Sequence, residues 1–158
     1  MSHMALQFTD DFETGDTSKW DATVQTSGTL TVESLNPLYG SKHLRATSIA
    51  GTGQKRVYVQ KILAPTIAKN IRAYIYLHPS TLLPAERVTL LAIYGSAQGL
   101  PTNYVATLTV VGGNIVLYYQ DGTAVYQTAN PNIPMPVGSY VCLEMGVKIG
   151  SGNGEIHV

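Results

Sequence analysis

Apolar side chains recur at every second position along about ten short segments, and that period confines the chain to half-buried β-strands. Thr29 to Leu35 alternates cleanly, and His43 to Ile49 follows a turn at Gly40-Ser41. From Arg56 to Ile62, Val57, Val59 and Lys61 fall on one face, and Tyr58, Gln60 and Ile62 on the other. Ile71, Ala73, Ile75 and Leu77 share a face; Arg72, Tyr74 and Tyr76 take the opposite one, with His78 following. Arg87 to Tyr94, Asn103 to Val111, Asn114 to Gln120 and Ala124 to Gln127 read as further strands. Gly112-Gly113 and Asp121-Gly122 mark the hairpins between the last three. Tyr140 to Ile149 is a long strand with Val141, Leu143, Met145, Val147 and Ile149 on one face. Glu155 to Val158 begins another after the Gly-rich turn at Gly150 to Gly154.

No helical stretch exceeds a turn or two. Asp16 to Trp20 reads as one turn with Asp16 as its cap, and Pro65 to Asn70 as another. Pro131, Pro134 and Pro136 read as a rigid connector before the Tyr140 strand. Alternation with one buried face favours antiparallel sheets, and many short strands without helices give a sandwich or barrel.

Composition narrows the function classes. Ten Lys+Arg balance ten Asp+Glu, so no basic surplus points to nucleic acid. Charged residues make up 13% against a usual ~25%, and 44% of residues are hydrophobic, enough for a proper core. No apolar run approaches the ~18 residues of a spanning helix, so no membrane insertion of that kind is expected. One cysteine, Cys142, excludes an internal disulfide framework and reads as a small buried thiol. Residues 1–4, with Ser2-His3-Met4, read as the remnant of a cleaved tag, and residues 5–158 as a single domain. A strand that starts at Glu155 points to a piece of a longer polypeptide, or to a strand completed by another chain.

The motifs Phe8-Thr9-Asp10-Asp11-Phe12-Glu13-Thr14-Gly15-Asp16-Thr17-Ser18-Lys19-Trp20-Asp21, Gly40-Ser41-Lys42-His43-Leu44-Arg45 and Pro136-Val137-Gly138-Ser139-Tyr140-Val141-Cys142-Leu143-Glu144 follow one another in order. Together they resemble the concanavalin A-like (laminin G-like) jelly-roll superfamily. At the third motif the superfamily usually has Trp where this chain has Tyr140. The resemblance implies an all-β, two-sheet antiparallel jelly-roll sandwich. It also implies one structural Ca2+ near the opening motif, with Asp11, Glu13 and Asp16 as candidate ligands. The alternative for these carboxylates is capping of the Asp16–Trp20 turn and blunting of an edge strand. Trp20 is expected to pack in the core.

The superfamily contains lectins, adhesion modules, hydrolases and lyases, so the site must decide. Its hydrolases place paired carboxylates at alternate positions of one strand. No predicted strand here carries two acidic residues at i and i+2. Lyases need Arg, Tyr and a His or Gln together. Arg72, Tyr74, Tyr76 and His78 share a strand face, as do Tyr118 and Gln120, but positions i to i+4 spread over about 13 Å. Ten Tyr against two Phe and one Trp is a bias toward rings with a polar tip. Tyr58, Gln60, Arg72, Tyr74, Tyr76, His78, Tyr118 and Gln120 are therefore the candidate ligand-binding residues. The expected function is a non-catalytic carbohydrate-binding or adhesion module of a larger extracellular or surface-exposed protein, with a glycan or polysaccharide partner. Two readings stand beside it. One is a polysaccharide lyase or glycoside hydrolase. The other is a structural module that forms homo-oligomers through an open sheet edge.

Overall fold

The computed structural model describes residues 6–49, 53–64, 68–78, 87–95, 104–120, 126–149 and 154–158. Residues 1–4 and the turns expected at Asp121-Gly122 and Gly150–Gly154 lie outside them in whole or in part. Eleven strands and no helix appear among the described residues, and every strand pairing is antiparallel. The chain divides into two compact units, 1–65 and 66–158.

The first unit holds β1 (Ala22–Thr26), β2 (Gly28–Glu33), β3 (His43–Ser48) and β4 (Arg56–Gln60). They form two two-stranded sheets, β1-β4 and β2-β3. β1 was not legible in the alternation, because Ala22-Thr23-Val24-Gln25-Thr26 offers one large apolar side chain, Val24. None of this unit's described residues is fully buried. An aromatic cluster holds it instead. Phe8 meets the Trp20 ring edge-on at 4.8 Å, Phe12 stacks over it at 6.1 Å, and Lys61 Nζ lies 5.1 Å from the Phe8 ring. Trp20 thus packs against two rings, but half-buried rather than in a core.

The second unit holds β5 (Ala68–Tyr76), β6 (Arg87–Tyr94), β7 (Tyr104–Val111), β8 (Asn114–Gln120), β9 (Tyr126–Pro134), β10 (Tyr140–Lys148) and β11 (Glu155–His157). One sheet runs β11-β10-β5 and the other β6-β7-β8-β9. Their inner faces share one core, with Leu143, Met145 and Val147 of β10 in the same cluster as Ala106, Leu108 and Val110 of β7. Within this unit the two sheets make a sandwich-like arrangement not closed into a barrel, whereas the described chain as a whole carries four antiparallel sheets rather than the expected two. The Gly112-Gly113 turn has φ of 56° and 84°, the left-handed pair that a tight hairpin between twisted strands needs.

Three expectations are corrected. Ala68 to Asn70 continue β5 rather than forming a turn, while 65–67 lie outside the described residues. Pro131 and Pro134 belong to β9. An edge strand tolerates proline because its outer N–H groups need no partner. Cys142 is exposed rather than buried, since it shares the outward face of β10 with Glu144 while Leu143 and Met145 point inward.

Candidate functional site

β5 and β10 pair in register from Ala68↔Lys148 to Tyr76↔Tyr140. Because β-strand side chains alternate, that register aligns two outward rows: Asn70, Arg72, Tyr74 and Tyr76 against Gly146, Glu144, Cys142 and Tyr140. β11 adds His157 opposite Gly146. A Cβ on Gly146 would collide with the His157 ring and the Asn70 amide oxygen, so glycine is what lets both side chains close over this strand.

Tyr74 and Tyr76 are 50% and 43% exposed, a large apolar area to leave in water. Tyr76 leans on Tyr140 with ring centroids 5.3 Å apart and planes tilted by 51°. Arg72 Nη2 donates to both oxygens of Glu144 at 3.2 and 3.1 Å. This hydrogen bond, and the carboxylate charge behind it, raise the guanidinium above its ordinary value. Burial raises the Tyr140 hydroxyl, with the neighbouring Tyr76 adding to the shift. The face therefore presents adjacent rings flanked by a fixed cation, a carboxylate, an amide and an imidazole.

The other candidates lie elsewhere. His78 is exposed just past the end of β5. Tyr118 and Gln120 belong to β8, whose core-facing residues are Leu117 and Tyr119; the Tyr118 ring takes Arg87 at 5.7 Å on the far side of that sheet. The two sheets share a core, so Tyr118 and Tyr74 face opposite ways. Beside Tyr118, Thr109 and Thr107 are buried, and their hydroxyls are satisfied by Thr89 and by each other at 3.2 and 3.5 Å. Tyr58 and Gln60 are half-buried on β4 of the first unit, opposite Val24 and Ala22 of β1. Tyr140, Glu144, Asn70 and His157 were not among the predicted ligand-binding residues. The alternation placed Cys142 and Glu144 on one face, but only the register sets Glu144 against Arg72.

The carboxylates of the acidic opening segment are engaged by backbone and side-chain donors of the segment itself and, for Glu13, of Ser41 and Lys42. Asp10, with a side chain 1% exposed, accepts from the Trp20 indole N–H at 2.7 Å, the Phe12 amide at 3.0 Å and Lys19 Nζ at 3.1 Å. Asp11 accepts from the Glu13 amide, which lowers its carboxyl below the ordinary range. Glu13 is lowered first by the Ser41 hydroxyl and then by the Ser41 and Lys42 amides. Asp16 is lowered by the Ser18 hydroxyl and amide and by Thr14. Its bond to the Ser18 amide, with the Trp20 amide on the Thr17 carbonyl at 3.0 Å, makes it the cap of a single turn. Among the described residues, no three His, Cys, Asp or Glu side chains gather as a metal would require. Asp11, Glu13 and Asp16 form no such group; each carboxylate is engaged by neighbouring hydroxyl or amide donors.

Compared with known proteins, the chain matches no protein-family model, no curated protein and no solved structure.

Proposed function

We propose that this chain is a non-catalytic carbohydrate-binding or adhesion module of the concanavalin A-like jelly-roll class, on an extracellular or surface-exposed protein, and that it binds glycan on the outward face of β5 and β10. The observation that carries the reading is the adjacent pair of half-exposed tyrosines, Tyr74 and Tyr76, beside the Arg72–Glu144 pair. A sugar ring stacks its C–H face on an aromatic ring and hydrogen-bonds through its rim hydroxyls, and this face supplies both kinds of contact. Three features favour binding over catalysis. Glu144 has no carboxylate across the register from it, where hydrolysis needs a pair. Arg72 is already neutralised by Glu144. The raised Tyr140 hydroxyl stays protonated at neutral pH, the wrong state for a general base.

A glycan array followed by calorimetry on the hits tests this. The expected result is a neutral or weakly charged oligosaccharide bound in the micromolar to millimolar range and lost in the Tyr74→Ala, Tyr76→Ala double variant. Binding that survives the double variant, or absence of any bound glycan, overturns it.

A further inference from the structure

The outward row of β5 divides into an aromatic half and a polar half. Asn70, Arg72, Tyr74 and Tyr76 follow one another at alternate positions, so the row is about 20 Å long. Tyr74 and Tyr76 make one half, with Tyr140 of β10 opposite Tyr76. The other half is Arg72 against Glu144, then Asn70 against Gly146. Gly146 is buried although it sits on the outward face, because the Asn70 amide and the His157 ring lie over it. Those two polar groups meet at the end of the row farthest from the rings.

We propose that this face takes a single soluble glycan chain, linear and uncharged, of about four β-1,4-linked hexose units laid along β5. The assignment rests on the glycan-binding reading and narrows its ligand to one class. Length is the first reason: the row matches about four linked pyranose rings, while the tyrosines alone cover only its first two positions. The second is the tilt of 51° between the Tyr76 and Tyr140 planes. Rings so inclined cannot both lie flat on a planar crystalline polysaccharide, whereas a single chain turns each sugar about its linkages to suit them. The third is the fixed pair. Glu144 engages Arg72 through Nη2, and a guanidinium carries N–H donors on three nitrogens. A donor and an acceptor side by side match two adjacent sugar hydroxyls, one accepting from Arg72 and its neighbour donating to Glu144. A sugar carboxylate or sulfate at that position would meet the Glu144 charge. Equatorial linkage turns C–H faces to Tyr74 and Tyr76 and keeps the hydroxyls on the rim. Asn70 and His157 then hydrogen-bond the unit at the polar end.

The probes are cello-oligosaccharides from dimer to hexamer, titrated by calorimetry into the full chain. Affinity is expected to rise about tenfold from dimer to tetramer and to change little beyond it. The tetramer with its C6 carbons oxidised to carboxylates should bind about tenfold more weakly. Asn70→Ala should weaken the tetramer about threefold, and more than it weakens the dimer. Microcrystalline cellulose should not retain the chain. The assignment is overturned by a tetramer no tighter than the dimer, by equal binding of the oxidised tetramer, or by retention on crystalline cellulose. An Asn70→Ala variant that binds both lengths as the parent does overturns it as well. If no cello-oligosaccharide binds while hits dependent on Tyr74 and Tyr76 appear on the glycan array, this assignment falls and the broader reading stands. An array without hits removes both.

Discussion

Arg72 and Glu144 face each other across paired strands, one guanidinium nitrogen lying 3.2 and 3.1 Å from the two carboxylate oxygens. Seventy-two residues separate them along the chain. The pair is more than half exposed on both sides, so its contribution to stability is screened by water. Glu144→Gln should leave the melting temperature within about 2 °C of the parent. Glycan affinity should fall roughly tenfold in the same variant, because the guanidinium loses the partner that holds it beside Tyr74. Calorimetry and thermal melts on one sample separate the two effects. A large loss of stability with unchanged binding would reverse the assignment.

Asp10 is the opposite case, a nearly inaccessible carboxylate with three donors on it. Asp10→Ala leaves the Trp20 indole N–H and the Phe12 amide without their acceptor. The expected cost is about 2–4 kcal/mol, the penalty of two enclosed donors left unmade. Trp20 is the single tryptophan, so its fluorescence reports this cluster directly. A red shift and an earlier denaturant midpoint are expected; an unchanged midpoint would show that Asp10 is dispensable.

The same segment should be acid-sensitive. Asp11, Glu13, Asp16 and Asp21 all sit below the ordinary carboxylate range in the folded chain, held there by Glu13, Ser41, Ser18 and Ile62 donors respectively. Depressed folded values add stability above the unfolded pKa of ~4 and lose it as pH falls through the folded values. Lys19, raised mainly by its bond to Asp10, acts at the other end. Its contribution is present below ~10.4 and disappears as pH rises through its folded value. Stability followed by Trp20 fluorescence should therefore plateau between these limits and drop below about pH 4. A flat profile down to pH 2 would contradict the capping roles.

Cys142 should react with a maleimide or a disulfide reagent in the native chain without denaturant, because the strand turns it to the exposed face. Mass spectrometry after brief labelling should show one adduct. Protection until unfolding would place the thiol inside and shift the whole face of β10 by one residue.

Met145 anchors the core of the second unit at 0% exposure. Met145→Ala removes a fully enclosed side chain between the two sheets, at an expected cost of about 2–5 kcal/mol in chemical denaturation. Tyr74→Ala on the outer face should cost far less.

Strand identity was written locally. Arg87–Tyr94 and Asn114–Gln120 have the bounds the sequence reading assigns, because each is a short apolar and aromatic run closed off by glycine-bearing turn signals. The Ala22–Thr26 strand escaped for lack of large apolar residues, and β9 ran on through Pro131 and Pro134 because an edge forgives proline where an interior strand does not. The candidate site was half legible. Arg72, Tyr74 and Tyr76 could be assigned to one face of one strand from spacing alone. Their partners could not.

The order of residues by itself settled the all-β character, the inward and outward face of most strands, and the turns whose glycines need positive φ, since each depends on neighbours one or two positions apart. Tertiary structure alone decided that β10 pairs with β5, that Tyr118 looks away from Tyr74, and that Asp10 caps Trp20. Those are matters of pairing and register between distant segments. Several pairings bury comparable apolar area locally, so the choice among them rests on the energy of the assembled core rather than on any one stretch of sequence.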